Sequence, residues 1–340
     1  MADTPQNINS QLMVFHLLVA RAWAEALQKI HYLSVTEFDD YVAALERIGD
    51  SYTDDAEPAS IGSAKRIRKL LQQKLFEEVG ELVDKAMAGL MERERDITVV
   101  KLWVMDAVAR ARTKIDELII ELIKLAERSL GYLICPPNVK LREPVLAAHF
   151  ILSRIDVELR LSERFQSAIE QIDECPLGSG DGAGCSIAID REAIATELGF
   201  ARPSVNALDA VENDEVRMAA SLFVLGEGLQ WQTLEFIKYL EFENCTQSSQ
   251  AILDSEYGPA AFAKNPPVYY FQTFDRYINI VSATTSQIAR TSVGAHLMTM
   301  DSAPAGIRDS ILSKRVEGGT APEVVAKRIA ILKSKYRIES

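Results

Sequence analysis

Between residues 96 and 133 the chain has no proline and no glycine before Gly131. Apolar residues return every three or four positions there, at Val100, Val104, Val108, Ile115, Ile119, Leu122 and Ala126. That spacing lines them along one stripe of a helix, which at ~1.5 Å per residue runs to roughly 55 Å. A stripe of that length is buried only by partners of similar length. Residues 145–172 and 212–242 repeat the pattern, and no run of useful length alternates as a half-buried strand does. The expected fold class is all-α, a bundle of long helices.

Shorter patterns precede this core. Residues 11–28 place Leu12, Val14, Leu17, Leu18, Ala22, Trp23 and Leu27 at helical spacing. Ser34-Val-Thr-Glu37 reads as a helix start, with a hydroxyl cap and an acid in the first turn. Residues 52–62, rich in Asp, Pro, Ser and Gly, read as a linker, and 64–89 is helical again through Leu70, Leu71, Leu75, Val79, Leu82 and Val83. The expected domains are 1–95, 96–282 and a short C-terminal segment, 283–340. Helices with apolar stripes on more than one side also predict oligomerisation.

Composition narrows the class of function. A net charge of −12 excludes a general nucleic-acid binder, and the basic run Lys65-Arg66-Ile-Arg68-Lys69 reads as one helix face offset by acids. No apolar run approaches the roughly 18 residues of a membrane span. The four cysteines lack CxxC spacing and read as reduced thiols. Met1-Ala-Asp-Thr-Pro does not resemble a secretion signal, so the expected location is cytoplasmic. His16, His31, His149 and His296 are scattered without ligand spacing, and neither a metal nor a cofactor is expected.

The one glycine-dense stretch is Cys175-Pro-Leu-Gly-Ser-Gly-Asp-Gly-Ala-Gly-Cys185. Gly178, Gly180, Gly182 and Gly184 cannot continue a helix. A phosphate-cradling loop would follow a strand, and none is evident before it, so a bend at a helix end is expected. From Pro176 onward, with Asp190-Arg191-Glu192, Leu198-Gly-Phe200 and Asn206-Ala-Leu-Asp209-Ala-Val211, the chain resembles the argininosuccinate lyase signature P-L-G-[SC]-G-A-L-A-G-T…I-D-R-E…L-G-F…N-S-L-D-A-V. Ser313-Lys-Arg-Val-Glu-Gly-Gly319-Thr-Ala-Pro322 is similar to that family's closing K-R-x-x-G-G-x-[ST]-P, and the chain looks shortened between residues 266 and 308. The resemblance implies the fumarase/aspartase superfamily fold and a homotetramer with sites shared between subunits. Its chemistry is β-elimination, in which a base removes a proton α to a carboxylate and cations hold the acid groups.

The motifs that carry this chemistry have changed. The first, H-T-G-R-S-R-N-D, falls on Met87-Ala-Gly-Leu-Met-Glu-Arg93-Glu94, where the glycine agrees. Arg93 and Arg95 are offset from the motif's arginine, and on a helix a shift of even one residue turns a side chain by about 100°. The second falls on residues 135–144, where Asn138 stands for the proton-transferring histidine; an amide does not titrate near neutrality. The third, the serine loop, falls on 257–266, where Lys264-Asn265-Pro266 remain, Ala263 replaces a lysine and Tyr270 replaces a glutamate.

Ordinary argininosuccinate cleavage is therefore not expected. The candidate catalytic groups are Asn138, Lys140 and Lys264. Arg142, Ser179, Asp181, Asn265 and Arg93 are the candidate binding groups for an amino-acid or dicarboxylate-like molecule. Two readings stay open: a repurposed lyase-type enzyme of specialised biosynthesis, or an inactive relative serving as scaffold or partner of an active paralogue. Several residues also have plainer roles. Asn206 and Asp209 read as a helix cap, Asp190-Arg191-Glu192 as a cap with an internal ion pair, Cys135 as a buried thiol, and Tyr269 to Tyr277 as core.

Overall fold

The computed structural model describes residues 8–52, 63–135, 143–212, 214–241, 266–293 and 297–338. Among these the long elements are all helical: α1 (Ile8–Lys29), α2 (Val35–Ser51), α3 (Ser63–Val79), the short α4 (Leu82–Ala86), α5 (Glu92–Arg128), α6 (Ala147–Ile172), the short α7 (Arg191–Glu197) and α8 (Ala207–Ala210), α9 (Asp214–Glu241), α10 (Pro266–Arg290), α11 (Ala305–Ser313) and α12 (Pro322–Lys335). The expected all-α class holds. The described residues contain no helix long and apolar enough to cross a membrane.

Two compact units divide the chain. The first is Met1–Ala109, Gln166–Ser221 and Phe262–Gln272; the second is Arg110–Phe165, Leu222–Ala261 and Thr273–Ser340. In the first, α1, α2 and α3 pack on one another around Leu12, Trp23, Leu27, Tyr41, Leu71 and Leu75, each fully buried. Ser34 and Glu37 form the expected start of α2. The Ser34 hydroxyl accepts from the Glu37 N–H at 3.2 Å, and Glu37 Oε2 accepts from the Ser34 N–H at 2.8 Å. The indole N–H of Trp23 donates to Ala88 O at 3.0 Å, and that of Trp103 to Gln11 Oε1 at 3.0 Å. Of the basic run, Lys65, Arg66 and Lys69 are exposed, but Arg68 is buried. It donates to Glu92 at 2.7 Å and Asp96 at 2.8 Å, because a charge there is tolerable only when paired.

α5 ends at Arg128, short of the expected residue 133. Beyond Gly131, Tyr132–Ile134 leaves the helix as strand β1, which pairs antiparallel with β2 (Val145–Leu146) and β5 (Met298–Thr299). The rest of the second unit packs aromatic rings between helices. Phe223 lies 5.3 Å from Phe165 and 5.2 Å from Phe274, and the Arg110 guanidinium sits 4.7 Å over the Phe274 ring. Of the aromatic run from Tyr269, Phe274 and Tyr277 are core, as expected; the side chains of Tyr269, Tyr270 and Phe271 lie outside the described residues. α12 is tied on by Lys333 to Glu127 at 2.8 Å, Arg328 to Asp156 at 3.1 Å and the Tyr336 hydroxyl to Asp116 at 3.3 Å.

Gly226 makes the tightest of these helix contacts. A Cβ there would stand 2.4 Å from Cε2 of the buried Tyr277 ring, whereas a Cβ at Gly228 would meet nothing within 4 Å. Overpacking costs typically about 1–3 kcal/mol, while glycine-to-alanine inside a helix gains up to about 1 kcal/mol. Gly226→Ala should therefore lower the denaturant midpoint and Gly228→Ala should raise it, both read by chemical unfolding.

Candidate functional site

In the first unit, the glycine-rich stretch that carries the family resemblance packs on the start of α5. It leaves β3 (Glu174–Cys175), which pairs in parallel with β4 (Arg202–Pro203). It then closes a 3-10 turn at Gly180–Gly182, with Asp181 at φ 53°. Three consecutive residues at the start of α5 point three ways. Arg93 is exposed and reaches Glu212 at 3.5 Å. Arg95 is buried, touching Met87 Sδ through Nη1 at 3.4 Å, and its Nε and Nη2 find no partner among the described residues. Between them, Glu94 turns into the loop.

Glu94 is fully buried. Its Oε1 accepts from the Met91 N–H at 2.9 Å and its Oε2 from the Gly180 N–H at 2.8 Å. Asp181 answers from the loop, its Oδ1 accepting from the Glu94 N–H at 3.0 Å, so Glu94 caps the loop at Gly180 and Asp181 caps the first turn of α5. Burial pushes the Glu94 carboxyl above its usual range, while N–H groups of Met91, Gly180 and Ser179 pull it back.

Arg191 holds the loop from the other side. Its Nε donates to Leu177 O at 2.9 Å, Nη1 to Ser204 O at 3.0 Å, and Nη2 to the buried Ser179 hydroxyl at 3.4 Å. Gly178, at φ +86°, lies so close that a Cβ would meet Arg191 Cδ at 2.9 Å. The internal ion pair expected of Asp190-Arg191-Glu192 is absent here, since the guanidinium is used on carbonyls. Asp190 is a cap as expected, accepting from the Ala193 N–H at 3.0 Å. Asn206 likewise caps α8, accepting from Leu208 and Asp209 N–H at 2.9 and 3.3 Å.

Beside this loop, Lys101, Glu170, Glu174, Arg202, Ser204 and Asp209 line a cleft of about 420 Å³. Its cations are engaged: Lys101 Nζ donates to Glu174 O at 3.1 Å, and Arg202 donates twice to Glu174 Oε1, at 2.8 and 2.6 Å. The cleft presents charge of both signs to a small polar molecule. No three His, Cys, Asp or Glu side chains gather as a metal site among the described residues.

Of the residues singled out from sequence, Ser179, Asp181 and Arg93 are thus described. Ser179 and Asp181 meet in the loop, and Arg93 stands outside it. Asn138, Lys140, Arg142, Lys264 and Asn265 lie outside the described residues. Cys135 is exposed rather than buried, because it follows the last residue of β1, past the inward-facing Leu133 and Ile134. Sequence reasoning missed Glu94 and Arg191 as the residues that set the loop. The signal for Glu94 was its register with the closing aspartate of the first family motif.

No protein-family model matches the chain. Among solved structures, an EDDS lyase in complex with formate is similar at 15% identity and TM-score 0.76, over 98% of this chain and 87% of that one. A fumarate lyase:delta crystallin from Brucella melitensis in native form is similar at 12% identity and TM-score 0.62, over 98% and 89%. The beta-carboxy-cis,cis-muconate cycloisomerase from Acinetobacter calcoaceticus sp. ADP1 follows at 13% identity and TM-score 0.63, over 95% and 84%. These proteins belong to the fumarase/aspartase superfamily. The chain has that superfamily's helical-bundle fold.

The loop's anchoring is testable. Glu94→Gln replaces one acceptor oxygen with an N–H₂ facing a backbone donor, and an unsatisfied buried group costs about 1–3 kcal/mol. The variant should lose that much stability in chemical unfolding, and Glu94→Ala should lose no less.

Proposed function

We propose that this protein is a repurposed lyase-type enzyme, acting on an amino-acid or succinyl-type small molecule with non-standard active-site residues. The observation that carries the reading is the likeness in fold to an EDDS lyase over 98% of the chain, joined to the loop organised by Glu94 and Arg191. Lys140 and Lys264 are the proposed proton-moving groups, and Asn138 donates hydrogen bonds to the charge that develops on a carboxylate. Arg142, Arg93, Asn265, Ser179 and Asp181 are proposed to bind and orient the substrate. The reaction is an elimination in which a base takes the proton α to a carboxylate and the C–N or related bond at the β carbon breaks. The protein is further proposed to be a cytoplasmic homotetramer, with sites completed by neighbouring subunits.

A second reading, an inactive scaffold or partner of an active paralogue, draws on the first-motif region. There Glu94 is committed to the loop and Arg95 is buried among α1, α2 and α3 residues, so neither is spare for substrate. Both readings are tested by thermal-shift titration of the purified protein with fumarate, aspartate, arginine and argininosuccinate. A ligand at 100 times its dissociation constant stabilises the native state by about 2.7 kcal/mol. The enzyme reading predicts a shift with at least one of them, removed by Lys264→Ala or Arg142→Ala. No shift with any, together with co-purification of an intact lyase, favours the partner reading.

A further inference from the structure

The core of the second unit holds a carboxyl group that the proposed chemistry does not use. Glu158, on α6, and Gln230, on α9, are both fully buried. Gln230 Nε2 donates to Glu158 Oε1 at 2.8 Å. The other two oxygens of the pair, Glu158 Oε2 and Gln230 Oε1, have no hydrogen-bond partner among the described residues. Both are acceptors if the acid is ionised, so the ionised pair leaves two buried acceptors without a donor, a costly arrangement.

The groups that face Glu158 do not supply that donor. Arg154, four residues earlier on α6, stacks its guanidinium 5.7 Å over the Phe150 ring, and its Nε has no hydrogen-bond partner among the described residues. Arg154 acts on Glu158 as a nearby charge and not as its missing donor, since among the described residues Arg154 Nε and Glu158 Oε2 both lack a hydrogen-bond partner. From α10, Tyr277 is fully buried and its hydroxyl also has no partner among the described residues. A single proton on Oε2 would satisfy both orphan oxygens, with the acid O–H donating to the amide carbonyl while the amide N–H donates to the acid carbonyl.

We propose that Glu158 is a neutral carboxylic acid in the native protein, joined to Gln230 by two reciprocal hydrogen bonds that lock α6 to α9 and that open when the proton leaves. Burial pushes the Glu158 carboxyl up to about 7, with the Gln230 hydrogen bond and the Arg154 charge pulling it back. The folded state therefore holds a proton that the unfolded chain has released above its ordinary value of 4.5. The lock's contribution is complete below that ordinary value. It is lost as pH rises through about 7, by up to tenfold in the unfolding equilibrium per pH unit in the window between. His16, in the first unit, has the opposite sign. Burial lowers it to about 3, so its contribution is lost as pH falls, and only a comparison with a variant isolates Glu158.

The test is chemical unfolding of the full chain from pH 5 to pH 8, for wild type and Glu158→Gln. An amide at 158 keeps both hydrogen bonds and cannot titrate. The expected result is that the wild type loses stability relative to Glu158→Gln as pH rises, with the ratio of their unfolding constants changing at least tenfold across the range. A ratio that does not change with pH overturns the proposal. Infrared titration of the folded wild type is the second measurement, independent of whether the variant folds. A protonated-carboxyl stretch that disappears near neutral pH supports the lock, and the absence of any such band at pH 6 overturns it. Glu158→Leu, which removes the acid without adding a charge, should lack the band.

Discussion

The reciprocal capping of Glu94 and the glycine loop is the interaction on which the first unit's organisation rests. A run with glycines at 178, 180, 182 and 184 has high conformational entropy and no side chains to bury. It holds one shape because Glu94 accepts the loop's N–H groups from one side and Arg191 donates to its carbonyls from the other. Through Asp181 the loop in turn supplies an acceptor to the first turn of α5, where free N–H groups otherwise remain. The start of the longest helix and the shape of the loop are thus one structure, which explains why the two stretches of sequence that carry family motifs answer to each other.

Buried polar groups are the second theme. Arg68 is paired with two carboxylates, and Glu94 takes backbone donors on both oxygens. Arg95, Tyr41 and His16, by contrast, keep side-chain atoms without partners among the described residues. A core built this way depends on geometry more than an apolar one does, since each misplaced group is left unsatisfied. In the second unit the same physics makes Glu158 a proton carrier.

Much of the fold was legible because helical periodicity survives any amount of motif loss. The stripes in α5, α6 and α9 come from Ile, Leu, Val and Ala at spacings of three and four, and the caps at Ser34, Asp190 and Asn206 follow from side-chain chemistry alone. What was not legible depended on the partner. α10 opens on Pro266-Pro267, which suits a first helical turn but was read as the end of a motif. The last residues assigned to α5 became β1 because two other strands lie ready to pair with Tyr132–Ile134. Arg68 stands in a basic stretch that reads as a surface face, and its burial depends on where Glu92 and Asp96 stand. The candidate site was less legible still. The residue types at Asn138, Ala263 and Tyr270, in place of a histidine, a lysine and a glutamate, argue against the inherited chemistry without naming its replacement.

The proposed function requires that this fold carry out an elimination on a succinyl- or amino-acid-type molecule. Its most direct test is a continuous ultraviolet assay for the conjugated acid that such a reaction forms. The purified protein would be incubated with aspartate and a series of N-substituted aspartates, including argininosuccinate. The account predicts rising absorbance with at least one of them, abolished by Lys264→Ala without loss of folding. A flat trace with every member of the series, from folded protein, would contradict it.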